Sequence, residues 1–285
     1  MPELPEVEVL VRHLGPLLQG KTIRGVRLLK PRVLRPTSPR QLVRTLRGAR
    51  FGRLSRRGKF LLFALDRTGR TKTIMLVGHL GMSGRMYLLP ADAPLPKHTV
   101  AVFDLGNDRF VFEDTRYFGR LTLDASQIQK LGPEPLSPDF TTDFFCQALS
   151  RSSQAIKVKL LDQALVAGLG NIYASEALFR ARISPKLPAR TLGRKRVHRL
   201  WLAIREVLTA AIECGSTVPL NYVGRGTQDG FFYFGRPLED DSYEERLQVY
   251  GRLGEPCLVC RTRVERCVQA ARSTFYCPRC QRARS

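Results

Sequence analysis

A two-domain α+β fold is predicted: an N-terminal helix with an antiparallel β-sandwich, then a helical domain ending in a metal-braced hairpin. Three observations in the 285-residue sequence carry this expectation. Short apolar or alternating runs, separated by turn residues, crowd residues 59–114. Helical periodicity takes over after a Pro-rich stretch at 131–140. Two Cys-x2-Cys pairs close the chain. The expected segments are 1–130, 131–245 and 246–285.

The first element is a helix over Pro5–Leu18. Val7, Leu10, Val11, Leu14 and Leu18 recur at helical spacing, and Gly20 stops it. Glu6 falls in its first turn, where the helix dipole favours a carboxylate. KFLLFAL (59–65), TIMLVGHL (73–80), RMYLL (85–89), HTVAVFDL (98–105) and RFVFED (109–114) then read as strands, reaching to about Leu123. In the linker LGPEPLSPDF (131–140), Ser137 is expected to cap a helix with Pro138 at its first position. AIKVKLLDQALVAGLGNIYASEALFRARI (155–183) reads as a short helix, a Gly-rich double turn and a second helix capped by Asn171. Residues 195–214 form an amphipathic helix with Val197, Trp201, Ile204, Leu208 and Ile212 on one face, ended by Gly215. Residues 216–245 read as loop. Cys146 and Cys214 are expected as core fillers on helices.

Charge narrows the partner. The chain carries 47 basic against 25 acidic residues, a net +22, and 37 of the basic residues are Arg. Solubility alone does not need that imbalance. A polyanion does, and nucleic acid is the first choice, ahead of an anionic membrane. No apolar run is long enough to span a bilayer and no signal pattern opens the chain, so a cytosolic protein is expected.

The tail holds Cys257-x2-Cys260, sixteen intervening residues, and Cys277-x2-Cys280. This is the spacing of a four-cysteine zinc site, in which two knuckles surround one tetrahedral ion. So short a segment cannot build its own core, so the metal would supply folding energy. Cys267 lies in the intervening hairpin, around VQAA, and is not expected to be a ligand. From residue 246 to 285 nine Arg face two Glu. A basic hairpin of this kind suits phosphate or groove contact, against the blander reading of a solvated structural ribbon.

Three further features are each ambiguous by themselves. The amides of the turn in VAGLGNIYASE (166–176) suit a phosphate, yet glycine turns between helices are common. Lys59 opens an apolar strand after RRG, where a lysine is usually just solvated. The start, MPELPEVEVL, is the most suggestive. Removal of Met1 would leave Pro2 with a secondary α-amine. Such an amine titrates near neutrality and can attack an aldehyde-level sugar carbon to give an iminium ion. Glu3 would be an acid or base at the same carbon. From the residues alone, ordinary helix-start chemistry is the simpler account of Pro and Glu there.

Taken together, PELPEVEV, GHLGMSG (78–84), LGPEPL (131–136), GLGNIYASEALFRARISP (168–185) and YGRLGEPC with RSTFYCPRCQ (250–281) resemble formamidopyrimidine-DNA glycosylase, the bacterial family that repairs 8-oxoguanine. The resemblance runs from about residue 2 to residue 281. It implies a helix–two-turn–helix domain, a four-cysteine zinc ribbon and a bifunctional glycosylase/AP lyase acting on damaged double-stranded DNA as a monomer. Pro2 would be the nucleophile, Glu3 the acid/base and Glu6 a supporting carboxylate. Lys59 would touch phosphate and the damaged base, and Arg272 would grip flanking phosphates and serve δ-elimination. Asn171, His98 and Lys157 match DNA contacts. Met82, Arg116 and Phe118 match the residues that fill the gap left by the extruded nucleotide, although by residue type Met82 and Phe118 read as core.

Two features depart from the pattern. Ser153 stands where a basic contact is expected, and 224–245 is longer and more acidic than the loop the family folds over the lesion. The rival expectations are an endonuclease VIII-like enzyme for oxidised pyrimidines and a zinc-dependent binder of damaged DNA without catalysis.

Overall fold

A computed structural model describes residues 2–67, 69, 73–215, 232–233, 236–237 and 247–282. The chain divides into two compact units. One gathers Pro2 and Glu6–Gln129; the other gathers Glu3–Pro5 with residues 130–215 and 247–282.

The first unit opens with helix α1 (Leu4–Leu18). Val7, Leu10, Leu14 and Leu18 point from it into the main core, as their spacing requires. Eight strands follow: β1 (Gly25–Leu28), β2 (Arg50–Arg57), β3 (Phe60–Asp66), β4 (Ile74–His79), β5 (Gly84–Pro90), β6 (Thr99–Asp104), β7 (Asp108–Asp114) and β8 (Arg120–Thr122). They form two antiparallel four-stranded sheets, ordered β1-β6-β7-β5 and β2-β3-β4-β8. Both sheets contribute to one core. Phe51 and Phe63 from one meet Phe110 of the other, with ring centroids 6.0 and 5.5 Å apart. Strict alternation buries Leu61, Phe63 and Leu65 of β3 and leaves its other positions outward.

The five expected strands correspond to β3–β7. Strands β1, β2 and β8 and helix α2 (Pro39–Leu46, capped by Ser38) were not foreseen from the pattern. Strand β2 reads RFGRLSRR because it is a sheet edge. Only Phe51 and Leu54 turn inward, and arginines line the rest.

The first unit ends with α3 (Ser126–Gln129), and the second holds α4 (Thr142–Ser150), α5 (Ile156–Leu160), α6 (Asn171–Arg180) and α7 (Arg194–Glu213). Gly215 ends α7 at φ 89°. The expectation at Ser137 is corrected. Ser137 Oγ accepts from Asp139 N, closing a local turn, and α4 starts later under a Thr141 cap that accepts from Phe144 N at 3.1 Å. The cap of α6 is Gly170 rather than Asn171, because Asn171 spends its side chain elsewhere. Cys146 is half-buried and Cys214 exposed at the end of α7, so neither fills the core. Of the segment 224–245, only the paired strands β9 (Phe232–Tyr233) and β10 (Arg236–Pro237) are described. The expected lesion-capping role of 224–245 otherwise lies outside the described residues. Among the described residues no helix is long and apolar enough to cross a membrane.

The tail forms the hairpin β11 (Glu265–Gln269) and β12 (Arg272–Tyr276). Its two turn residues, Ala270 and Ala271, both lie in the left-handed region, at φ 47° and 57°. A two-residue hairpin turn of this hand favours Asn-Gly. Replacing Ala270→Asn and Ala271→Gly together is therefore expected to stabilise the zinc-loaded protein by about 1 kcal/mol. A higher urea midpoint at unchanged slope would register this, and an unchanged midpoint would contradict it.

Candidate nucleic-acid interface and metal centre

The most constrained carboxylate of the second unit is Glu3, which is 1% exposed. It sits at the start of α6, whose first amides have no helical partner. Glu3 Oε1 accepts from Ile172 N at 2.8 Å and Oε2 from Tyr173 N at 3.4 Å. The carboxylate thus caps the helix from a distance and lies on its positive end. The GLGN turn is shaped for this. A Cβ on Gly170 would lie 2.2 Å from Glu3 Cδ. Gly168, at φ 85°, accepts from Leu4 N at 3.1 Å, and a Cβ there would strike the Leu4 side chain at 2.7 Å. Both glycines clear space for the start of the chain.

One residue along the helix, Asn171 ties three segments together. Its Oδ1 accepts from Lys157 Nζ of α5 at 2.5 Å, and its Nδ2 donates to Ser273 O of β12 at 2.9 Å. Lys157, expected as a DNA contact, is fully buried and donates to Asn171. Burial lowers its pKa to about 8, with Glu3 opposing the shift and Arg272 adding to it. Those mutual effects place Glu3, Lys157 and Arg272 in one electrostatic neighbourhood. Arg272 itself is exposed at the start of β12. Ser153 is exposed before α5.

Glu176, a residue the sequence pattern did not single out, fixes the approach to the hairpin. Its buried carboxylate accepts from the amides of Gln248, Val249 and Tyr250 at 2.8, 3.0 and 2.8 Å. Burial raises its pKa, and the three amides pull it back. The available signal was that it is the one acid of α6 and stands next to Ala177 and Leu178.

In the first unit, Pro2 is buried just ahead of α1, and Glu6 is fully buried in the first turn. Lys59 is 8% exposed in the β2–β3 turn, beside Gly58 at φ 57°. His79 lies close enough to feel its charge. Burial first, then Lys59 and Arg120, lower the His79 pKa to about 4. Its Nδ1 accepts from Gly81 N at 3.0 Å, so the neutral ring carries its proton on Nε2 as a donor. His98 is half-buried and its carbonyl accepts from Asp114 N.

Asp114, fully buried, organises two neighbouring loops. Its Oδ1 accepts from Ser83 Oγ at 2.6 Å and Arg116 N at 3.1 Å, and its Oδ2 from Gly119 N at 2.7 Å. Gly81 lets the loops touch, since a Cβ there would lie 2.6 Å from Gly119 N. The outcome is a cluster of exposed side chains: Met82 at 45%, Phe118 at 53%, and the Arg116 guanidinium 4.9 Å from the Phe118 ring centroid. Residue type alone assigns these apolar side chains to the core; the buried Asp114 between them explains why they face out.

The four cysteines fit a metal. The Sγ atoms of Cys257, Cys260, Cys277 and Cys280 all lie within 4.8 Å of one another. Cys257–Cys280 is 3.9 Å and Cys260–Cys277 is 3.4 Å. A tetrahedral zinc with Zn–S of about 2.3 Å requires about 3.8 Å between sulfurs. The hydroxyl and amide of Thr262 lower the Cys260 thiol to about 6, while burial and the neighbouring thiols push Cys277 and Cys280 up. Cys267 lies in β11, paired with Thr274.

Comparison with known proteins agrees along the whole chain. The model of the formamidopyrimidine-DNA glycosylase N-terminal domain matches residues 1–121, its H2TH domain 131–220, and the zinc finger found in FPG and IleRS 254–283. The formamidopyrimidine-DNA glycosylase of Janthinobacterium sp. is 40% identical over 291 residues, covering 99% of this chain and all of that protein. That of Thermus thermophilus is 42% identical over 288 residues, covering 99% and 98%. Among solved structures, Lactococcus lactis Fpg with abasic-site DNA superposes at a TM-score of 0.86 with 33% identity, covering 98% and 99%. MutM with carbocyclic 8-oxo-G DNA gives 0.85 and 34%, covering 99% and 100%.

Two outcomes follow from this geometry. Gly170→Ala is expected to cost about 1–3 kcal/mol by overpacking against Glu3, and the same substitution made in a Glu3→Gly background should cost much less. Urea unfolding of both single variants and the double variant checks this; an equal cost of Gly170→Ala with and without Glu3 would rule out the clash. Zinc removal with a chelator is expected to abolish hydrogen-exchange protection of the β11–β12 amides while β3 and β7 keep theirs. Persistent protection in a metal-free sample would refute a structural role.

Proposed function

Because this chain belongs to the formamidopyrimidine-DNA glycosylase family, the base-excision-repair enzymes that remove oxidised purines and cleave the strand as AP lyases, we propose that Pro2 is its nucleophile and Glu3 its acid/base. The observation that carries this assignment is the seat of Glu3. A carboxylate covalently adjacent to the α-amine is held by two amides at the positive end of α6, so its position relative to the chain start is fixed before substrate arrives.

With Met1 removed, the Pro2 nitrogen as free base gives its lone pair to C1′. The glycosidic bond breaks and the purine leaves with a proton. Glu3 donates to the ring oxygen as the sugar opens, leaving a Pro2 iminium, and later shuttles protons during elimination. Lys59 assists loss of the 3′ phosphate, and Arg272 the second elimination at the 5′ side. Glu6, buried in the first helical turn, supports the geometry of the start.

Recognition is assigned by the same reading. The damaged nucleotide leaves the stack. Met82 and Phe118 are large apolar groups held in water, and inserting them into the vacated space removes that exposure, worth about 1.5–3 kcal/mol for a full side chain. Arg116 meets the orphaned base. Asn171 and His98 contact the backbone, with Lys157 steering Asn171. The lesions in the solved relatives, Fapy-dG, carbocyclic 8-oxo-G and abasic sites, define the substrate class assigned here. Damaged duplex DNA is the partner, one zinc ion on the four cysteines is structural, and the protein works as a monomer in the bacterial cytosol.

Borohydride trapping on duplexes carrying 8-oxoguanine opposite cytosine, and an abasic site, tests the assignment. Wild type is expected to give a covalent adduct on both, and Pro2→Gly to lose it by about two orders of magnitude or more. An undiminished adduct in the variant would overturn the role of Pro2. An adduct confined to the abasic duplex would move the lesion class away from purines.

A further inference from the structure

A second concentration of charge lies at the other end of the elements that carry Asn171 and Arg272. Helix α6 runs ten residues from Asn171, about 15 Å. Strand β12 runs five from Arg272, about 17 Å. Near their far ends is a pocket of about 200 Å³, lined by Arg182, Arg196, Arg199, Arg279 and Arg282 around Ile183. No acidic residue lines it.

Three separate segments deliver these arginines: the turn after α6, helix α7, and the second cysteine knuckle. Gln281, 2% exposed, joins the first of these to the third. It donates from Nε2 to Ile183 O at 2.9 Å and accepts at Oε1 from Cys277 N at 2.9 Å. Arg199 Nε donates to Ala181 O at 2.6 Å, which leaves its two terminal nitrogens for a ligand. Among the described residues none of the five arginines forms an ion pair. Arg182 has φ 53°, the left-handed position after a helix that glycine or asparagine ordinarily takes. An arginine there carries backbone strain that glycine would avoid, the kind of cost retained where a side chain has a role. The pocket is concave and built of guanidinium groups, whose planar donor pairs match phosphate oxygens.

We propose that this pocket is a second anion site, distinct from the lesion site, which takes a phosphate group. The phosphate can come from a free phosphate compound or from the backbone of a second DNA segment.

Zinc-loaded full-length protein, saturated with a short duplex holding a stable abasic-site analogue, is titrated with pyrophosphate and, separately, with a fluorescent undamaged duplex. The Arg182→Gly, Arg196→Gln double variant is run alongside, with zinc content checked in each sample. Saturable binding of one probe per protein is expected, weakened by roughly tenfold or more in the variant, while affinity for the abasic duplex changes by less than about twofold. Capture of the second duplex identifies the DNA backbone as the source; pyrophosphate binding alone identifies a free phosphate. Equal binding to wild type and variant, or no saturable binding of either probe, overturns the proposal. Should Arg182→Gly fail to fold, Arg196→Gln with Arg282→Gln removes the same charge without touching the strained backbone.

Discussion

The hydrogen bonds between the Glu3 carboxylate and the first amides of α6 are the contact on which the rest of the site depends. The amides need an acceptor, because no preceding turn supplies one. The carboxylate needs donors, because it is almost wholly removed from water. Each satisfies the other, and the price is two glycines that can carry no side chain. Asn171 follows directly on the same helix, so the hairpin and Lys157 are referenced to the same point. Glu176, further along α6, then holds the segment that leads into the hairpin. Three polar side chains on or at one ten-residue helix thereby place the basic hairpin relative to the chain start.

The first unit solves a different problem by similar means. Exposed Met82 and Phe118 would collapse onto any nearby apolar surface if their loops were loose. Asp114 prevents this by consuming the donors of both loops, and Gly81 lets their backbones approach. A buried carboxylate with several donors recurs here as a way to make irregular chain rigid. The aromatic core between the sheets gives those loops a stable base.

Legibility in the sequence followed the range of the interaction. Strands β3–β7 and helix α7 announced themselves because burial on one face imposes a period that local reading detects. The zinc ligands were equally plain, since a knuckle fixes its own spacing. Strands β1, β2 and β8 were not, being short or lined with arginine at a sheet edge. The N-cap of α6 was misplaced by one residue because the acceptor that decides it, Glu3, lies 169 residues away. Met82 and Phe118 were invisible as surface groups because residue type argues for the core, and only the motif-level resemblance suggested otherwise. The hub residue Glu176 left one clue, an acid beside Ala177 and Leu178, which periodicity treats as noise; Asp114, in the polar run EDTR, left none.

The separation of 169 residues between Glu3 and Ile172 also sets a clock. A ribosome adds roughly 5–20 residues each second, so the start of the chain waits on the order of 10–30 s for the helix that will receive it. During that interval Glu3 and Leu4 lack the partners they have in the folded chain, the amides of Ile172 and Tyr173 and the carbonyl of Gly168. Once α6 emerges, Glu3 and Leu4 can dock. Anchoring of residues 3 and 4 is therefore a late event in synthesis, set by the distance to α6 and not by the local sequence.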